Sequence, residues 1–496
     1  MWHEYLDTPQ VTLVPTFMAR KEFEVVKIQK GTWLSFKTIC NGQEPITVYI
    51  DGVMVASFEQ VNGPTPVMSS NRSNFGGSAT FPRTPTGSVG IEIPSGNLLY
   101  YSGLSNQAVM GDTGLGWNQT PMVFDGAKRD GYAWIVDLIT GAPALYYSTT
   151  GTEYIRGNIE ASLIRASLEP GILPENLVNE DSLVSVEGMG AGSYDYYNGP
   201  QTGVSTHRNA LYVTALRSCV ELANSSTIND LKLASQYLTL AIRTTEAINS
   251  YLFTPSTSHY NITTSRTVGI AQESHTWLIS KGFSPPHLHR PILAQLRDRL
   301  CSTTGTNAPL SFSPDTINPS ITPVISPIMS AFHCIAAIDT NCHEYAEHIL
   351  RSVWEPVCDK QSPHFTGTMW EFLNPDGRTP FKDQIYSYAQ LFNVGSTFIL
   401  SRYVLGVEPT KSGFGEVKIH PRFSIKGVNW AEGRVPTPWG ESIEVKWQRF
   451  EGRGWKLACS VPNGMDGVVV VPEDIWVRRK ILKDNGKEIQ SNEEKI

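Results

Sequence analysis

The spacing of apolar and polar residues changes its rhythm twice along the chain. Up to about residue 105 it alternates. ITVYIDGVMVASF (46–58) sets Asp51-Gly52 between two β-branched runs, which predicts a hairpin closed by a two-residue turn. Gly- and Pro-rich spacers such as NGPTP and FPRTPTGS follow. From about 106 to 405 the apolar residues recur at helical spacing. Helices are predicted over 206–223, 231–253, 292–300, 343–354 and 388–406, separated by the long polar segments 189–205 and 302–325. Connections of that length inside a compact domain are more often functional than accidental. After Gly406 alternation returns. In ESIEVKW (441–447), Ile443, Val445 and Trp447 face one side, and Glu444 and Lys446 the other. WKLACSV and GVVVVP continue the strands on either side of Pro462-Asn463-Gly464, and the charged tail KDNGKEIQSNEEKI reads as frayed.

This order predicts a multidomain α and β protein: a β-rich region over 1–105, a helical domain over 106–405 and a β domain over 406–496. Helices arriving in pairs suit an α/α toroid. The length, 496 residues, agrees with about two to four domains.

Composition narrows the function. A formal net charge of −7 and the lack of any basic run speak against nucleic acid as a partner. No apolar run reaches the roughly 18 residues of a membrane span. The 12 Trp, 19 Tyr and 19 Phe suit the flat platforms of a sugar-binding cleft, and equally a large core. Seven cysteines without a C-x-x-C pair exclude common zinc-finger and thioredoxin spacings and read as buried free thiols. No metal or cofactor is implied. The start MWHEYLDTPQVTLVP has no charged n-region before an apolar stretch, so the chain reads as cytoplasmic as it stands and as secreted if its start is truncated.

The candidate chemistry begins in FDGAKRDGYAWIVDL (124–138). On a helix, Asp130, Trp134 and Asp137 fall within about 60° of one another, with Tyr132, Ile135, Val136 and Ile139 opposite. Either this is an ordinary amphipathic helix with an exposed tryptophan, or its acidic stripe lines a polyol-binding cavity. Carboxylates accept sugar hydroxyls with charge-assisted strength, and an indole packs on the C–H face of a pyranose. Glycoside hydrolysis also needs one carboxylic acid and one carboxylate base. FTGTMWEFLNPDG (365–377) offers the base: Glu371 stands between Trp370 and Phe372, where an unpaired charge is costly to bury. In GMGAGSYDYYNGPQTG (188–203), Asp195 and Tyr196 belong either to a cleft wall or to a tyrosine-rich surface loop.

The spacing D-x-x-x-R-D-x-x-x-W-x-x-D, from Asp125 to Asp137, resembles the signature of the α-L-rhamnosidases of glycoside hydrolase family 78, within the six-hairpin glycosidases. TMWEF around Glu371 is similar to that family's second carboxylate motif. SRYVLGVEP, GFGEVKIHPRF and TPWGESIEVKW (401–447) resemble its passage from the last barrel helix into a C-terminal β-sandwich. The resemblance implies a central (α/α)6 toroid flanked by an N-terminal β-sandwich-like region and a C-terminal β-sandwich. It also implies an inverting exo-α-L-rhamnosidase acting on terminal rhamnose of glycosides or polysaccharide side chains. Asp130 takes the general-acid position and Glu371 the general-base position. Asp125, Arg129, Trp134 and Asp137 take positions that hold the sugar, and Trp370, Gln390 and Phe392 positions along the cleft. Inversion requires the two carboxyls to stand about 6.5–9.5 Å apart. This chain departs from the pattern where relatives have Glu at position 130, Arg at 131, a small residue at 136 and a His and a Trp near 390–392. Those departures leave room for a lyase, a glycosidase for another sugar, or a non-catalytic sugar-binding protein.

Overall fold

The computed structural model describes residues 36–39, 46–50, 52–58, 121–123, 135–166, 178–185, 202–316, 323–381, 386–422, 425–438, 440–450, 454–470, 482–484 and 487–489. The chain forms two compact units, 1–119 with 190–192, and 120–189 with 193–496. Helix and sheet are mixed.

The described part of the first unit is an antiparallel meander of β1 (Phe36–Ile39), β2 (Ile46–Ile50) and β3 (Val53–Phe58). Its second hairpin pairs Ile50 with Val53, the register that the sequence predicts for a two-residue turn. Gly52 has φ +80°, a conformation that side chains with a Cβ seldom adopt.

The second unit is led by helices packed as sequential pairs: α1 (Leu138–Ser148) with α2 (Thr152–Ala166), α3 (Thr206–Ala223) with α4 (Leu231–Ala247), α5 (Glu273–Ser280) with α6 (Pro286–Leu300), and α7 (Pro327–Asp339) with α8 (His343–Cys358). Between α4 and α5 a short hairpin pairs β4 (Phe253–Thr254) with β5 (His259–Tyr260). A last, short helix α9 (Gly395–Ile399) packs on α7 and α1. The odd-numbered helices therefore touch in the succession α3, α5, α7, α9, α1, and the even-numbered ones pack on their partners.

Burial follows this division. From Pro327 to Ile338 every residue of α7 is buried, and α5 is buried from Glu273 to Ile279. In α8 only one stripe, including Ala346, Ile349, Val353 and Trp354, is buried. Local chemistry sets the starts: the Ser205 side chain accepts from Arg208 N–H, that of Asp230 accepts from Leu233 N–H at 2.9 Å, and α6 and α7 open on proline.

The C-terminal strands form two three-stranded sheets. In the first, β9 (Ser442–Phe450) lies between β8 (Trp430–Pro436) and β10 (Gly454–Ser460), all antiparallel. Ile443, Val445 and Trp447 are buried, and Glu444 and Lys446 exposed, as alternation predicts. In the second, β7 (Glu416–Ile419) pairs antiparallel with β6 (Val407–Pro409) and parallel with β11 (Asp466–Val469). Helices and sheets share one apolar core. Trp447 Nε1–H donates to Val404 O at 2.9 Å, and Tyr147 O–H to Val407 O at 2.9 Å.

Gly406 makes the passage between helix and sheet. Its φ is +93°, and a Cβ there would lie 2.3 Å from Pro421 N. Gly406→Ala is therefore expected to cost at least about 2 kcal/mol of stability, read from urea unfolding. An unchanged midpoint would contradict this account of the junction.

Three expectations need correction. The helix predicted over 388–406 begins only at Gly395. Gln390 is extended (φ −124°, ψ 121°) and gives its N–H to Met369 O at 2.9 Å, so its backbone is committed to a neighbouring segment. The tail is not frayed throughout, because β12 (Leu482–Asp484) and β13 (Lys487–Ile489) pair antiparallel. The described cysteines are all free, but of these only Cys334 is buried, and Cys358 is exposed.

Candidate active site

Extended bridges tie together the segments that lead into the odd-numbered helices. Ser185 pairs with Val204 and Ser205 with Thr263 before α3, Ala271 with Phe312 before α5, and Ile325 with Leu373 before α7. Gln272 N–H donates to Ser311 O at 2.7 Å, and Ser311 N–H to Val324 O at 2.8 Å. The N-terminal ends of α5 and α7 and the segment carrying Glu371 thus belong to one hydrogen-bonded layer. Such ends present unsatisfied N–H groups and favour negative charge.

Glu371 is fully buried, at 0% exposure. Its N–H donates to Ser387 O at 2.8 Å, and Ser387 N–H donates back to Glu371 Oε2 at 2.8 Å. This pair of bonds fixes the orientation of the Glu371 carboxyl group. Its two chain neighbours are aromatic. Trp370 is buried and donates Nε1–H to Thr366 Oγ1 at 3.0 Å, and Phe372 meets Tyr386 edge to face at 5.1 Å and Phe392 at 6.3 Å.

Two further predicted residues join the same assembly. Gln390 is buried beside Met369, and buried Phe392 accepts at its carbonyl from Thr140 Oγ1 at 2.5 Å. That bond reaches the first turn of α1, three residues after Asp137. The turn Ile135–Asp137 also packs on the turn Leu391–Asn393. Segments distant in sequence, around Asp137, Glu371 and Gln390, therefore converge. Asp125, Arg129, Asp130, Trp134, Asp195 and Tyr196 lie outside the described residues.

The helix face predicted over 130–139 needs correction in its described part. Ile135–Asp137 is a 3-10 turn, and the α-helix starts at Leu138. A 3-10 turn advances about 120° per residue instead of 100°, which shifts the register. Ile135, expected on the apolar back, is 48% exposed, whereas Asp137, expected on the open stripe, is 2% exposed.

Sequence reasoning missed Ser387, Thr140 and Asn393. For Asn393 a signal existed: a lone amide inside the apolar run LFNVG, where a polar side chain is retained only with partners.

The buried histidines of this layer are held neutral. His275 donates Nδ1–H to Ala271 O at 2.7 Å and accepts Tyr260 N–H at Nε2, 3.1 Å away, so a second proton would break a bond. Gln272 Nε2–H donates to His333 Nδ1 at 3.1 Å and to Ser330 Oγ at 3.2 Å. Burial, reinforced by neighbouring positive or histidine charge, lowers His207, His275 and His333 from the ordinary 6.5 to about 3. The unfolded chain therefore binds protons that the native state refuses. The stability these residues contribute is fully present above pH about 6.5 and is lost as pH falls towards 3. Unfolding free energy is expected to drop between pH 7 and 5, these three alone contributing a slope approaching about 4 kcal/mol per pH unit once they titrate in the unfolded chain, and buried His259, lowered to about 4, adding to it. Urea titrations at pH 7, 6 and 5 check this, and a flat profile would contradict it.

Among the described residues, no group of three or more His, Cys, Asp or Glu is placed to hold a metal ion, and no helix is long and apolar enough to cross a membrane.

Residues 406–483 match the family described as bacterial alpha-L-rhamnosidase C-terminal domain. No curated protein matches the chain. Among solved structures, the chain is similar to a glycoside hydrolase family 78 rhamnosidase of Bacillus sp. GL1, with 20% identity over 68% of this chain and 32% of that one, TM-score 0.48. A Streptomyces avermitilis alpha-L-rhamnosidase complexed with L-rhamnose gives 15% identity over 71% and 36%, TM-score 0.49. A sialidase gives 9% over 88% and 52%, TM-score 0.49. The chain spans about a third of the length of these two rhamnosidases. The family match over residues 406–483 thus covers the strands that follow the last helix, the stretch that includes TPWGESIEVKW.

Proposed function

We propose that the chain is an inverting exo-α-L-rhamnosidase that hydrolyses terminal α-L-rhamnose from glycosides or polysaccharide side chains. Its three parts are then an N-terminal β-sandwich-like region over 1–105, an (α/α)6 toroid over 106–405 and a C-terminal β-sandwich over 406–496. The observation that carries the reading is the setting of Glu371. A carboxylate with no exposed surface is oriented by Ser387 N–H in the hydrogen-bonded assembly that also receives Gln390, Phe392 and the start of α1 next to Asp137. Burying a charge is costly unless it is paired and hydrogen-bonded, and buried carboxylates held in this way cluster at functional sites.

In this mechanism Asp130 protonates the glycosidic oxygen as the bond breaks, and Glu371 removes a proton from the water that attacks the anomeric carbon from the opposite face. Asp125, Arg129, Trp134 and Asp137 hold the terminal rhamnose, and Asp195, Tyr196, Trp370, Gln390 and Phe392 shape the cleft. Aspartate at 130 is one methylene shorter than the glutamate of relatives, so the backbone before α1 must bring it nearer to the leaving oxygen. No cofactor takes part.

Incubation with an aryl α-L-rhamnoside is the first test. Release of L-rhamnose is expected. Release of a different sugar, or ultraviolet absorbance from an unsaturated uronate, would replace this reading with another glycosidase or with a lyase. Calorimetric rhamnose binding without turnover would leave a sugar-binding protein.

A further inference from the structure

We infer that Asn393 is a positioning residue for Glu371. Its side-chain amide fixes the stretch of backbone that aims the carboxylate, and it acts through Glu371 rather than on the sugar. The inference rests on the reading of Glu371 as the general base.

The two N–H groups of the Asn393 amide go to consecutive carbonyls. One donates to Trp370 O, the other to Glu371 O at 2.5 Å. In an extended strand successive carbonyls point to opposite sides, so two that converge on a single nitrogen require the chain to bend at this point. The bend sets the direction in which the Glu371 side chain leaves the backbone. From the other side Ser387 holds the residue through both its amide and its carboxylate. Glu371 is thereby gripped at its nitrogen, its carbonyl and one carboxylate oxygen. Asn393 supplies the grip on the carbonyl.

The backbone of Asn393 is itself fixed. Asn393 O accepts Trp354 Nε1–H from α8 at 3.0 Å, and Asn393 N–H donates to Gln390 O at 3.2 Å. Two residues on, a Cβ on Gly395 would lie 2.5 Å from Ala331 Cβ, so α9 starts in close contact with α7. The position of Glu371 is thus referred to α7 and α8, two helices of the second unit's core, and not to its own irregular segment. An apolar residue would fill this fully buried place at less desolvation cost, and a neutral amide offers two donors in one plane. A base displaced by about 1 Å loses transition-state stabilisation without loss of ground-state binding, because the sugar is held by other residues.

The test uses the full chain with an aryl α-L-rhamnoside. Asn393→Ala is expected to lower kcat by about 100-fold while KM stays within about three-fold of wild type, with the circular dichroism spectrum unchanged. A folded Asn393→Ala protein with wild-type kcat, or with raised KM and unchanged kcat, overturns the inference. Should that variant fail to fold, Trp354→Phe removes only the donor on Asn393 O. A fall in kcat without a change in KM supports the inference there, and unchanged kcat overturns it. Glu371→Gln, measured alongside, separates the two levels. Wild-type kcat in Glu371→Gln removes the base reading itself, whereas lost kcat in Glu371→Gln with intact kcat in Asn393→Ala removes the role of Asn393 alone.

Discussion

Glu371→Gln is expected to lower kcat for an aryl α-L-rhamnoside by about 1,000-fold and to leave the fold intact. Glutamine has the shape of glutamate and still offers Ser387 N–H a carbonyl oxygen in place of Oε2, 2.8 Å from that donor in the native protein. Fully buried, it would also be relieved of the cost of a charge with no exposed surface. What it cannot do is take a proton from water. General-base catalysis is worth about 10²–10⁴-fold, and the loss should fall on kcat and kcat/KM equally because the interaction develops only in the transition state. Thermal unfolding should move little or upward. A variant that keeps more than a small fraction of wild-type kcat would mean that the carboxylate is a structural partner of Ser387 and nothing more.

Asp130→Asn should behave differently. Its effect depends on the leaving group, since the acid is needed only where the departing oxygen needs a proton. With an alkyl or flavonoid aglycone the loss is expected to be about 1,000-fold, and with a nitrophenyl aglycone, which leaves readily as an anion, only about 10-fold. Rates for both substrates in wild type and variant give the comparison. An equal loss on the two would assign Asp130 to binding or folding and leave the acid elsewhere in the acidic stretch that runs to Asp137.

Sequence rhythm was a good guide where an element has two different faces. The hairpin of β2 and β3, α3 over its whole length, and the alternation of Ile443, Val445 and Trp447 all follow from it. It failed for elements enclosed on every side. α7, PIMSAFHCIAAID, is buried almost throughout and has no polar face to give it a period, and α5 buries Glu273, His275 and Thr276 together with Trp277. It also failed where long-range hydrogen bonds replace local ones. Gln390 pairs with Met369 instead of continuing a helix, and the 3-10 turn at Ile135–Asp137 buries the aspartate and exposes the isoleucine.

For the candidate site, charge in an improbable place carried most of the information. Glu371 between two aromatics pointed to a site because such burial demands a reason. Trp370, Gln390 and Phe392 came with the family resemblance and join the same assembly. Ser387 was out of reach, because it acts through a backbone N–H, and although the lone amide of Asn393 in LFNVG is visible, the two carbonyls it holds, more than a dozen residues away, are not. Such partners leave no periodic trace in a single sequence.

The most direct test of the central claim is the anomer first formed. Proton NMR recorded during the earliest turnover of an α-L-rhamnoside, before mutarotation, should show β-L-rhamnose appearing ahead of the α form, as attack by water activated by Glu371 on the opposite face requires. Initial release of α-L-rhamnose, or no rhamnose at all from any rhamnoside offered, would contradict it.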